Sequence, residues 1–326
     1  MSKISMESPT VKEIYKYHQS RAKQGHRPHL GGSLIGHDCD RHLFYSFRWA
    51  MKKTFDGRML RLFETGELAE ARFVRELRGI GATVWDFDPE SGDQWRVSAH
   101  GGHFSGSLDG VAVGIESSTK AHVLEFKTHN AKSFKELKAK GVEASKPQHY
   151  AQMQVYGYLM DIERALYLAA NKDTDELYSE RVKISRTEGK RLVERAARII
   201  FTDHPPGGIS QDPSFYKCKF CDHHPICHGN KPPEANCRTC AFVTPMEDGS
   251  WKCEHHNKTL ATDDQRLGCE KHLYNPAMLN IEAEQFDPDG HRIIYKTGLI
   301  NGSGGLSSTE IAAVDDISSI GGRNDS

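Results

Sequence analysis

Apolar positions recur at helical spacing through "RLFETGELAEARFVRELRGIGATVW", where Leu62, Ala69, Phe73 and Leu77 fall on one side and Gly79 and Gly81 close the run. That pattern predicts an amphipathic helix. An earlier run, "GGSLIGHDCDRHLFYSFRWAM", predicts another, with Ser33 as N-cap and Leu34, Cys39, Leu43 and Phe47 along it. Strand-like runs follow around Trp95 to Val97, Gly106 to Val113 and His122 to Thr128. "PQHYAQMQVYGYLMDI" reads as a helix after Pro147, "RALYLAANK" as a strand and "SRTEGKRLVERAARIIFTD" as a helix. Two helices, several strands, helix, strand and helix make an α/β core.

One strand breaks the apolar rule. In "HVLEFKTHN" the period of two puts Val123, Glu125 and Lys127 on one face and Leu124 and Phe126 on the other. Charges in strands are usually solvated or paired across a face. Opposite charges two residues apart in an apolar run also suit a metal-binding carboxylate with a lysine beside it.

Composition narrows the class. The chain has 326 residues and a formal net charge of −1, without a global basic footprint for nucleic acid. The charge is uneven: from Asn280 onward 8 acidic residues face 3 basic ones. Lys127, Lys132, Lys135, Lys138, Lys140 and Lys146 cluster at and after the suspect strand, which suits contact with a phosphate backbone as well as a solvated helix face. No run has signal-peptide or membrane-spanning character, so the expectation is a cytoplasmic protein that meets no membrane. Eight cysteines in a reducing compartment, several at CxxC spacing, point to metal rather than disulfides.

Carboxylates gather around the suspect strand. "FSGSLDGVAV" places Asp109 in an apolar run beside a glycine that permits close approach. Glu70 lies at helical spacing with Val74 and Leu77, beside the inward face of its helix. Gln152 and Tyr156 share a helix face at i and i+4. The set Gly66-x-x-x-Glu70, Gly106-x-x-Asp109-Gly110, Glu125-x-Lys127 and Gln152-x-x-x-Tyr156 resembles the PD-(D/E)XK nuclease superfamily, in its RecB-like and phage-type exonuclease branch, over roughly Leu30 to Asp203. Glu70 departs from the histidine that many RecB-like members carry there.

The resemblance implies a restriction-endonuclease-like core, a mixed sheet flanked by helices. It also implies Mg²⁺ or Mn²⁺ held by Glu70, Asp109, Glu125 and the Phe126 carbonyl, hard oxygen donors that suit those ions. Lys127 would orient or deprotonate the attacking water and stabilise charge on the phosphorus. Gln152 would position the lysine or the phosphate, with Tyr156 in support. Lys132, Lys135 and Arg41 are candidate DNA contacts.

The cysteines divide into two sets. Cys39 with Cys218-x₂-Cys221-x₅-Cys227 resembles the iron–sulfur staple of AddB and of CRISPR-adaptation nucleases, implying a [4Fe–4S] cluster; a Cys₄ zinc site is the alternative. Cys237, Cys240, Cys253 and Cys269 form a zinc-ribbon-like set, with His256 and His272 as alternative ligands. The expected organisation is a polar leader over 1–29, a nuclease core over 30–230, a zinc module over 231–279 and an acidic Gly/Ser-rich tail over 280–326 with a hairpin in "DPDGHRIIYKTGL" and mobile final residues. The expected activity is a metal-dependent DNA exonuclease leaving a 5′-phosphate, of phage or mobile-element type, working in the host cytoplasm with DNA and a recombination or annealing partner. A structure-specific endonuclease and a non-catalytic DNA-binding scaffold are the alternatives.

Overall fold

A computed structural model describes residues 8–22 and 25–320. The start of the expected leader and the final six residues of the expected tail lie outside the described residues. Two compact units are present, each assembled from separated stretches. The first comprises Met1–His26, Lys53–Val97 and Gly106–Arg191; the second comprises Arg27–Lys52, Ser98–Ser105 and Leu192–Ser326. Among the described residues no helix is long and apolar enough to cross a membrane.

In the first unit, α1 (Pro9–Arg21) packs along α2 (Gly57–Gly79), whose N-cap Asp56 accepts from the Met59 amide. A five-stranded sheet follows: β1 (Thr83–Trp85), β2 (Gly110–Val113), β3 (His122–His129), β4 (Arg164–Asn171) and β5 (Leu177–Lys183), paired in that order. Only the β3–β4 pairing is parallel, and the crossover that it requires is made by α3 (Ala131–Ser145) and α4 (Pro147–Leu159). This is the expected mixed sheet with helices.

The predicted period holds in α2 and β3. Phe73, Val74 and Leu77 bury against Val84, Ala112, Leu124, Phe126, Leu166 and Leu168. Leu124 and Phe126 therefore sit in the core under α2, as the alternation requires, and Glu125 and Lys127 take the other face of β3.

Three expectations are corrected. The run Gly106 to Val113 is not one strand: Phe104–Ser107 ends before Leu108 and Asp109, and β2 begins at Gly110, which adopts φ +147° and where an added Cβ would lie 2.8 Å from the Trp85 carbonyl oxygen. The second predicted helix begins later than Ser33: Gly32–Leu34 form a single 3₁₀ turn, and the helix runs Asp40–Phe47 with Cys39 at its N-cap position.

The domain boundaries also differ, because the stretch around Cys39 is tied to the C-terminal half. Arg238 donates to the Phe47 and Pro28 carbonyls at 2.9 and 2.8 Å, and Asn236 Nδ2 donates to the Trp49 carbonyl at 3.0 Å. Of the leader, Pro9–Arg21 form α1 in the first unit, and residues 27–29 belong to the second. The tail is folded rather than appended: Ala283–Asp287, Arg292–Tyr295 and Ile300–Gly302 make an antiparallel meander over a core of Leu273, Tyr274, Leu279, Ile293 and Ile311. The segment beyond Pro205 thus buries an apolar core of its own.

Candidate active site and cysteine centres

The sheet and α2 together bring three carboxylates and a lysine to one place in the first unit. Asp109 occupies the break before β2, where the β2–β3 ladder stops at the Gly110–Leu124 pair. Its Oδ2 accepts the Phe126 amide at 2.6 Å, so the side chain takes the place of the next ladder partner. Glu125 is fully buried, ion-paired with Lys127, and its oxygens accept no further hydrogen bond. Lys127 Nζ also donates to the Phe126 carbonyl at 2.9 Å. Glu70 reaches the group from α2, half-buried.

Their electrostatics are mutual. Burial, with Asp109 beside it, pushes the Glu70 carboxyl up to about 7. Burial also pushes Glu125 to about 7, with Asp109 and Glu70 adding to it and Lys127 opposing. Asp109 is raised by burial. Burial pulls Lys127 down, but Glu125, Asp109 and Glu70 together outweigh it and hold the ammonium above its ordinary range. Asp109 raises both Glu70 and Glu125, Glu70 adds to Glu125, and Lys127 lowers all three, which means crowded negative charge held by a single cation. Among the described residues no three His, Cys, Asp or Glu side chains are already drawn in around one ion position. At this site the Lys127 ammonium stands against Glu125.

Gln152 and Tyr156 are buried on α4, with Gln152 Nε2 3.4 Å from Tyr156 Oη. A methyl group at Gly106 would overlap the Tyr156 ring, so that glycine is where the tyrosine packs. Gly66 on α2 faces open space.

The basic candidates separate. Lys132 and Lys135 are exposed on α3, whereas Lys140 and Lys146 approach Glu136 and Lys138 pairs with Glu176. Arg41 lies in the second unit, where its Nε donates to the Pro206 carbonyl at 2.8 Å and its Nη1 lies 3.6 Å from Cys227 Sγ. It is half-buried and lines the cavity that holds the first cysteine set.

The same face of β3 carries a residue that the motif reading missed. His129 continues the Glu125, Lys127 alternation, and its Nε2 is 2.8 Å from Tyr167 Oη on β4. His149 Nδ1, on the α4 face that carries Gln152, is 2.9 Å from the same hydroxyl. The period of two in "HVLEFKTHN" carried the signal for His129.

In the second unit, Cys39, Cys218, Cys221 and Cys227 line one cavity together with Arg41 and His42. His42 Nδ1 is 3.3 Å from Cys221 Sγ. In the other set Cys237, Cys240 and Cys253 are buried and Cys269 is exposed, 3.6 Å from His256 Nε2. Burial, then Cys269 and Cys253, pushes the Cys237 thiol up to about 11; burial dominates at Cys240, at about 12. Cys237–Thr239 form a 3₁₀ turn capped by Asn236, and the antiparallel strands Val243–Pro245, Trp251–Cys253 and Lys258–Thr259 follow. His272 is turned to this turn, with Nε2 2.9 Å from the Asn236 carbonyl and Nδ1 without a partner.

No family model and no curated protein matches the chain. Among solved structures, SSO0001 aligns at 14% identity and TM-score 0.38, over 68% of this chain and 98% of that one. The alkaline exonuclease LHK-Exo from Laribacter hongkongensis aligns at 13% identity and TM-score 0.38, over 58% of this chain and 90% of its own. Its complex with dAMP gives 12% and 0.37. At TM-scores below 0.5 these likenesses carry no functional argument, which falls to the site's own geometry.

Proposed function

We propose that the chain is a Mg²⁺- or Mn²⁺-dependent DNA exonuclease. The observation that carries this reading is the meeting of Glu70, Asp109 and Glu125 from three different elements around Lys127, two of them with carboxyls raised to about 7. Crowded acids of this kind are matched to a dication, and Glu125 has oxygens to offer. Glu70, Asp109, Glu125 and the Phe126 carbonyl would hold the ion, which when bound would lower the pKa of a water and offset charge on the phosphate.

Lys127 stays an ammonium, so its role is to donate to the phosphate and stabilise charge rather than to remove a proton. Gln152 and Tyr156 brace the back of the site, and Lys132 and Lys135 offer backbone contacts on α3. Cys39, Cys218, Cys221 and Cys227 would hold a [4Fe–4S] cluster, or zinc, fastening residue 39 to the segment 218–227. Cys237, Cys240, Cys253 and Cys269, with His256 at hand, would hold zinc.

The test is cleavage of end-labelled linear and circular DNA with Mg²⁺, Mn²⁺ or EDTA, using anaerobically purified protein and Lys127→Ala as control. Divalent-dependent loss from ends, absent on circles and in the variant, supports the exonuclease. Cutting of circles makes it an endonuclease. DNA binding without cleavage by metal-loaded protein leaves a scaffold.

A further inference from the structure

Hydrolysis at this site must dispose of a proton. A water–phosphorus bond forms while the bond from phosphorus to the leaving oxygen breaks, the water sheds a proton, and the leaving oxygen takes one from solvent. Lys127 Nζ is already engaged with the Glu125 carboxylate and the Phe126 carbonyl, so it is not placed to receive the shed proton. Carboxylates holding a dication are poor acceptors as well.

A hydrogen-bonded chain runs alongside on the same face of the sheet. Ser133 Oγ lies 3.1 Å from His129 Nδ1, His129 Nε2 lies 2.8 Å from Tyr167 Oη, and Tyr167 Oη lies 2.9 Å from His149 Nδ1. Tyr167 sits opposite Glu125 in the β3–β4 register, and His129 stands two residues beyond Lys127. His149 precedes Gln152 by three residues, on one face of α4. Its Nε2 makes no hydrogen bond among the described residues. Ser133, at the start of α3, is half-exposed.

The hydroxyl of Tyr167 has one hydrogen for two imidazoles, so it donates to one ring and accepts from the other. This gives the chain two complementary states, related by moving each proton one position along.

We propose that His149, Tyr167, His129 and Ser133 form a proton relay that carries the proton released by the attacking water from the site to solvent. The inference rests on the nuclease reading. His149 Nε2 takes the proton through an intervening water and releases Nδ1–H to Tyr167 Oη. Tyr167 gives its own proton to His129 Nε2, and His129 passes Nδ1–H to Ser133, whose proton leaves to solvent. One proton enters and one exits.

The surroundings keep the relay conducting. Burial, with Lys127, His129 and Lys146 nearby, lowers His149 to about 3; burial, with Lys146, Lys127 and Lys172, lowers His129 to about 4. A proton therefore does not rest on either ring. Tyr167 faces Glu125 on β3 and Glu180 and Tyr178 on β5, and burial followed by these groups keeps its hydroxyl protonated.

The experiment measures steady-state cleavage by wild type, Tyr167→Phe, His149→Asn and His149→Ala, with circular dichroism melts for each. The relay predicts a fall in kcat of about 100-fold in each variant, the scale of general acid–base contributions, with KM for DNA unchanged and Tyr167→Phe still folded at the assay temperature, its melting temperature lowered only by the two hydrogen bonds lost at the hydroxyl. Added imidazole should restore His149→Ala with saturation. Wild-type kcat in Tyr167→Phe, full activity in His149→Asn, which keeps a hydrogen bond to the tyrosine but cannot relay, or no rescue by imidazole would each overturn it. An inert wild type would instead overturn the nuclease reading and remove the relay with it.

Discussion

Proton–cation linkage at the carboxylate cluster gives the most quantitative prediction. Glu125 and Glu70 sit near 7, against an ordinary value of 4.5. Because the folded value is the higher one, folding takes up protons between those limits. Without a dication, stability from these groups is fully present below about pH 4.5 and is lost as pH rises through about 7. For the fully buried Glu125, ionisation inside the fold costs about 3 kcal/mol.

A dication that needs the carboxylate reverses the trend. A carboxyl titrating near 7 is about 3% ionised at about pH 5.5 and about 90% ionised at about pH 8, a roughly 30-fold gain in apparent Mn²⁺ affinity for each carboxyl that must ionise. Glu70 adds to the rise at Glu125, so the Glu125 curve is not that of an isolated carboxyl. Isothermal titration calorimetry at both pH values, in buffers of different ionisation enthalpy, would read affinity and proton release, with Glu125→Gln as control. Equal affinity at the two pH values, or binding without proton release, would refute the reasoning.

Two further outcomes follow from the second unit. Arg238 is buried against Trp49 and Trp251 and donates to the Phe47 and Pro28 carbonyls and to Gln265, so Arg238→Ala should lower stability by about 3 kcal/mol through unpaired buried acceptors, measured by urea titration. Metal analysis of anaerobically purified protein should show Cys39→Ser losing iron while keeping zinc, and Cys237→Ser the reverse; a single variant that loses the metal of both sets would mean that they are not separate centres.

Much of the first unit was legible because its signals are periodic. The alternation in β3 identified Glu125 and Lys127 and carried on to His129, whose partner Tyr167 lies nearly forty residues away and could not be read from spacing. Helical spacing in α2 placed Phe73 and Leu77 in the core, with Glu70 at the edge of it. Asp109 was legible as a residue but not as a strand break, which comes from the positive φ of Gly110 and the nearness of Trp85. In the second unit the core residues Leu273, Tyr274, Ile293 and Ile311 come from short, separated stretches, with no period shared between them. Arg41 looked like a surface cation because sequence records charge and not the carbonyl of Pro206 that the guanidinium meets.

The bond from the Phe126 amide to Asp109 bears on the choice of an inert variant. Replacing Asp109 with alanine removes a charge and also strips a peptide group of its acceptor next to the carbonyl assigned to the ion. A loss of cleavage would then mix local strand slippage with missing chemistry. Asparagine retains an acceptor oxygen for that amide, so Asp109→Asn is the substitution suited to trapping DNA on an unaltered scaffold, and a comparison of the two separates backbone geometry from charge.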